Sequence, residues 1–232
     1  MRSCCFFIEE EQARRKQKTG VVMRQQRQNW RMPAVLVGTL ILSGVLGDNK
    51  KTSLKEEMEK LKVVPDVLPI APKANVEVDY GNGAVLRLGN TLTPTQVKNP
   101  PTSVTWPVEN GAFYTLAMVD PDAPSREKPT LREVKHWLVV NIPEMDIGKG
   151  EEIAGYRGSG PPKGTGLHRY VVVVYKQPGR IEVPDKKVAS SSRADRYHWS
   201  LKDFAAKYNL GDPVGGNFYL AEWDAYVDTI PK

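Results

Sequence analysis

GSGPPKGTGLHRYVVVVY, Gly158 to Tyr175, decides the fold through its closing run, Val171-Val-Val-Val174. A strand with one wet face alternates apolar and polar side chains, whereas this run is apolar at every position, so it belongs to a central strand between two layers. Thr102 to Trp106, Phe113 to Val119, Val134 to Ile142 and Asn217 to Trp223 read as further strands, rich in β-branched and aromatic residues. Val76 to Tyr80 alternates with period two, Gly81-Asn-Gly83 supplies a turn, and Ala84 to Leu88 returns, which together read as a hairpin. A mainly β protein built as a β-sandwich is expected.

Helix signals are few. Ser53-Leu-Lys-Glu56 spells a capping box that opens a short helix through Lys62, and Pro65 and Pro69 forbid its continuation. Ser200 precedes Leu201, Phe204, Ala205 and Tyr208 at helical spacing, and Gly211-Asp-Pro213 follows. Thr93-Pro94 marks another short turn. The organisation expected is a basic tail over 1–33, an apolar segment over 34–47, a helical lead-in over 48–70 and the main domain over 71–232.

The hydrophobic and charged fractions, 40% and 26% of 232 residues, are those of an ordinary globular protein. The net charge of +6 sits almost wholly in the tail, where eight Lys and Arg face only Glu9, Glu10 and Glu11. About +1 remains for the rest, too little for a surface that tracks nucleic-acid phosphates. Cys4 and Cys5 are the only cysteines, so the main domain has neither a disulfide framework nor a thiolate metal site. Ala34 to Leu46 is a run of 13 apolar or small residues after Arg24, Arg27 and Arg31. A spanning helix needs about 20 such residues, and a secretory h-region about 7 to 15. Secretion is expected if the segment acts as a signal, with Met23 or Met32 the better start, and a cytoplasmic location otherwise.

Two motifs concentrate the polar chemistry. DPDAPSR, Asp120 to Arg126, places two carboxylates at the end of a strand, with Pro121 and Pro124 restricting the loop. Taken alone it also reads as a turn whose aspartates cap local amides. His136 lies on the next strand between Lys135 and Trp137 and faces one layer by alternation. In the second motif His168 and Tyr170 share a strand face, and Gly158, Gly160, Gly164 and Gly166 let backbone amides approach an anion. Pro161 and Pro162 hold that loop open. It is not a nucleotide loop, because Lys163 precedes Gly164 where a P-loop needs glycine and then lysine. Imidazole, phenol and amides suit a phosphate; the carboxylates hold the imidazoles, raising their pKa, or meet the cationic part of a zwitterion.

YTLAMVDPDAPSR, HWLVVNIP, GSGPPKGTGLHRYVVVVY and AEWDAYV resemble the phosphatidylethanolamine-binding protein family, animal type, over about Val76 to Val227. LTPTQVKNPPTSVTW, Leu92 to Trp106, is similar to animal members as well. The resemblance implies an antiparallel β-sandwich with a few short peripheral helices and one small pocket for phosphate or a phosphorylethanolamine headgroup. Contacts would fall on Asp120, Asp122, Pro124, His136, Gly160, Pro161, Pro162, His168 and Tyr170. Leu131 and Val134 stand where mammalian members carry Tyr and Trp, and Lys135 where they carry a second histidine, so the rim should be less aromatic and more basic. A further C-terminal helix that borders the pocket in mammalian relatives is not expected after AEWDAYV.

The resemblance therefore points to a non-enzymatic binding and regulatory protein, a monomer without a cofactor, that takes a phospholipid headgroup or a phosphorylated small ligand. It could touch a membrane peripherally and modulate a protein kinase or a serine protease. The alternative is a secreted carrier of small amphiphilic or odorant molecules. A metal-dependent hydrolase is disfavoured, since the main domain holds no H-E-x-x-H and no G-x-S-x-G elbow.

Overall fold

The computed structural model describes residues 52–231. The basic tail over 1–33 and the signal-like segment over 34–47 lie outside the described residues.

Eight strands follow in chain order: β1 (Ala74–Asn75), β2 (Glu77–Asp79), β3 (Ser103–Thr105), β4 (Phe113–Asp120), β5 (Val134–Pro143), β6 (Glu151–Ala154), β7 (His168–Lys176) and β8 (Gly215–Ala221). Six form one sheet in the order β1-β8-β7-β4-β5-β6, and β2 pairs with β3 in a second. Val171 to Val174 lie in β7 between β4 and β8, buried on both faces. Every pair is antiparallel except β1 with β8, which is parallel. Glycine on β8 admits the chain that leads into β1, since a Cβ on Gly216 would meet Pro72 Cγ at 2.5 Å.

The two faces of the large sheet bury alternate residues. Leu116, Met118, Val172 and Val174 pack against Val78 and Val104 of the small sheet and Trp106 just after it, which is the sandwich. Ala117, Val119, Val171 and Val173 pack on the other face, against Met58, Val63, Leu68, Leu201 and Phe204. Each Val, Leu, Met or Phe side chain among them contributes about 1.5–3 kcal/mol when fully buried. The second layer on this face is helical: α1 (Leu54–Lys60) and α2 (Leu201–Lys207) supply its anchors. Both expected caps form, with Ser53 and Glu56 closing the capping box and Ser200 accepting from Asp203 N. The segment read as a lead-in thus places Met58, Val63 and Leu68 in the core beside the strands.

Two departures have local causes. The hairpin after Val76 closes with one bridge, Asp79 to Val85, because β2 takes β3 as its main partner. Strands β1 and β6 were not expected, being only 2 and 4 residues long.

Candidate functional site

β4 and β7 are antiparallel neighbours, so the end of one and the start of the other meet at the same edge of the sheet. Asp120 closes β4 and His168 opens β7, and the imidazole Nδ1 donates to Asp120 Oδ2 at 2.9 Å. Asp120 Oδ1 accepts the Asp122 amide at 2.7 Å, which ties the loop to the strand end. His168 Nε2 lies 3.0 Å from Thr165 Oγ1, whose hydroxyl also bonds the Pro162 carbonyl at 2.8 Å. Both nitrogens of this buried ring are therefore engaged within the protein.

His136 reaches the same place by an irregularity. Met118 pairs with Trp137 and Val119 with Lys135, which leaves His136 as the extra residue of a bulge. A bulge bends its strand and re-aims side chains. The simple alternation expected for Lys135, His136 and Trp137 is broken, and the His136 ring meets Tyr170 edge-on at 5.1 Å. Its Nδ1 donates to the Arg157 carbonyl at 2.8 Å, and a carbonyl can only accept, so the proton of the neutral ring sits there. Nε2 then offers a lone pair and has no protein partner among the described residues.

The expectation that the carboxylates raise both imidazole pKa values fails at His136. Burial pushes its pKa down, and Asp120 and the Arg157 carbonyl offset that only in part. Tyr170 lies on the stacked ring of Tyr219, with centroids 5.0 Å apart, and its hydroxyl accepts the Gly160 amide at 3.4 Å. Burial, and then the Asp120 charge, push this phenol far above its usual range, so it stays protonated.

These groups open onto a cleft of about 180 Å³. Asp120, Pro124, His136, Gly160, Pro162, His168 and Tyr170 line it, whereas Asp122 and Pro161 do not. Asp122, 1% exposed, is turned away by Arg169, which bonds both carboxylate oxygens, through Nε at 2.9 Å and Nη2 at 2.6 Å. Nor do the four glycines build an amide cradle. Gly164 and Gly166 serve turns at φ +81° and +73°, outside the lining, and the Gly160 amide is given to Tyr170. Gly158 is needed because a Cβ there would meet the Val97 carbonyl oxygen at 2.5 Å.

The basic rim exists, but its source differs from the expected one. Lys135 is buried against Trp199, 5.5 Å from the ring centroid, and does not line the cleft. Arg157, Arg193 and Arg196 do, and none of them was singled out from sequence. Leu131 and Val134 form an apolar wall together with Ala123, Val227 and Ile230. The last two come from the C-terminal segment, whose 3-10 turn Ala225–Thr229 is pinned where Asp224 Oδ2 accepts from Thr95 N and Oγ1 at 2.9 and 2.7 Å. The cleft is thus bordered by a 3-10 turn that begins within AEWDAYV and not, among the described residues, by a further helix after it.

Arg196 is the least expected of these residues. It is 1% exposed, and its guanidinium donates to five carbonyls: those of Lys135, His136, Gly155, Ala189 and Ser192. Among the described residues no group of three or more His, Cys, Asp or Glu is placed to hold a metal ion.

The family model described as phosphatidylethanolamine-binding protein matches residues 78–219. The chain is 37% identical over 180 residues to a Drosophila melanogaster protein called putative odorant-binding protein A5, covering 78% of this chain and 85% of that one. The solution structure of CG7054 is similar at 42% identity and a TM-score of 0.60, covering 73% of this chain and 98% of that chain. A carboxypeptidase Y inhibitor crystallised with its cognate proteinase shares the fold at 24% identity and a TM-score of 0.64, covering 74% of this chain and 95% of the inhibitor.

Proposed function

Because this chain belongs to the phosphatidylethanolamine-binding protein family, we propose that it is a binding and regulatory protein whose cleft takes the phosphate of a small ligand or headgroup. The observation that carries this reading is the meeting of His136, with its free Nε2, and three arginines around one cleft of about 180 Å³. Guanidinium groups suit phosphate because their planar N–H forks donate in pairs. The space falls below the roughly 300–1,000 Å³ of sites that enclose drug-sized ligands, which favours a headgroup over a whole lipid.

Calorimetric titration with inorganic phosphate tests the assignment. Binding is expected, weakened about tenfold or more in His136→Ala, as for a lost charge-assisted hydrogen bond, and weakened in His168→Ala because that ring holds Asp120 and Thr165 in place beside the cleft. Affinity equal to the parent's in both variants would reject the site.

A second reading has its own support in the apolar wall of Leu131, Val134, Val227 and Ile230 and in the Drosophila relative's name. On that reading the cleft carries a small amphiphile. Displacement of a fluorescent apolar probe by short alcohols, unaffected by phosphate, would favour it. A kinase or serine-protease partner would have to meet the exposed rim, where Tyr197 stands out. The compartment bears on that choice. If N-terminal sequencing of the native protein begins near Gly47, residues 34–47 acted as a signal and a cytosolic kinase is excluded.

A further inference from the structure

Charge in the cleft is one-sided. Arg193 lines it and makes no hydrogen bond or ion pair among the described residues. Arg157 spends one nitrogen, Nη1, on the Ser190 and Ser191 carbonyls at 3.4 and 3.2 Å and meets no carboxylate. Arg196 is bonded to carbonyls alone, which satisfy its N–H groups without cancelling its charge. Asp120 is the sole acid in the lining, and both of its oxygens are taken, one by His168 and one by the Asp122 amide.

A zwitterionic headgroup needs an anion for its ammonium, and beyond the engaged Asp120 the other acids nearby lie outside the lining. Asp122, the second carboxylate of the motif, is held by Arg169 and lies outside the lining. Glu152 lines the adjoining groove, which shares Arg157, Gly158 and Ile230 with the cleft, and it accepts from Trp137 Nε1 at 3.4 Å. An ammonium in the cleft would lie among three guanidiniums, and like charges in a partly desolvated space repel strongly. A phosphomonoester carries about −1.5 to −2 at neutral pH, which answers the cations directly, whereas a phosphodiester carries a single charge.

We propose that Arg157 and Arg193 make this cleft selective for doubly charged phosphomonoesters without an ammonium group, against zwitterionic phosphodiester headgroups. The inference rests on the anion-cleft reading above and narrows its ligand class. It also assigns a role to two residues that no motif marks.

The full chain is titrated calorimetrically at about pH 8 with methyl phosphate, phosphorylethanolamine and glycerophosphorylethanolamine, in that order of expected affinity. Methyl phosphate should bind at least about tenfold tighter than the diester, equivalent to about 1.4 kcal/mol. The double variant Arg157→Gln, Arg193→Gln should lose at least about tenfold for methyl phosphate and change little for the diester. Both side chains reach solvent, and an unchanged melting temperature in the double variant shows that the fold is kept. Equal or tighter binding of the diester, or an indifferent double variant, overturns the selectivity while leaving the anion cleft standing if inorganic phosphate still binds. Silence of all three ligands and of inorganic phosphate overturns both.

Discussion

Arg169 and Arg196 are both buried, 3% and 1% exposed, and they solve the same problem in opposite ways. Arg169 is met by carboxylates: Asp122 takes two of its nitrogens, Asp66 accepts at 2.6 Å, and the Lys62 carbonyl takes a further N–H. Burial works against its charge, yet Asp122 and then Asp66 more than compensate, and its pKa rises. Arg196 has only carbonyl partners, so burial, reinforced by nearby Arg157, pulls it down to about 10. It remains a cation at neutral pH. The contrast separates two uses of a buried arginine: one, with Arg132 also paired to Asp66, closes a charge-balanced clamp between the turn after α1 and the Asp120 loop, and the other leaves positive charge standing under the cleft.

The largest effect is expected where the clamp is broken. Asp122→Ala leaves the buried Arg169 guanidinium with Asp66 as its one remaining carboxylate, and removing one partner of such a buried pair costs about 3–5 kcal/mol. Urea denaturation reads this directly; a loss under about 1 kcal/mol would show that the pair behaves as a surface bridge, and the contrast with Arg196 would vanish. Arg196→Met should cost less, about 1–3 kcal/mol. It removes donors from carbonyls, but the His136 and Ala189 carbonyls keep the Arg157 and Ser192 amides, and a desolvated cation goes with it. Its larger consequence is for the ligand: phosphate affinity should fall at least tenfold, about 1.4 kcal/mol. Unchanged affinity in a folded Arg196→Met protein would mean that its charge does not act on the cleft.

The same contrast explains what could be read beforehand. The strands around Val171 to Val174 announce themselves because burial on both faces leaves no room for polar residues, and the capping box at Ser53 is a local code for a local structure. Asp120, His136, His168 and Tyr170 were visible because their chemistry lies in their side chains. Arg196 was not, since its partners are backbone carbonyls drawn from three separate stretches of chain, and a carbonyl has no letter of its own. Asp122 was misplaced for a related reason: nothing at its own position reports that Arg169, 47 residues on, will claim it. The bulge at His136 leaves no trace in the alternation around it, and β6 is too short and polar to signal a strand.

The smallest effect sharpens the cleft's side of the comparison through pH. Burial lowers the His136 pKa from 6.5, so the unfolded chain takes up this proton first as the solution is acidified. The stability that the neutral ring contributes is complete above 6.5 and is lost as the pH falls through the lower folded value. A bound anion reverses the preference, because the lone pair on Nε2 must gain a proton before it can donate. Sulfate is a suitable probe, as it does not titrate in this range. Of the charges that act on the ring, Asp120 supports protonation and Arg157 and Arg196 resist it. Sulfate should therefore bind a few-fold tighter as the pH drops below 6.5. Proton uptake should appear as a buffer-dependent binding enthalpy, and His136→Gln should flatten both. If the parent binds sulfate without taking up a proton while His136→Gln still weakens it, Nε2 already carries the proton and the tautomer argued from the Arg157 carbonyl is wrong.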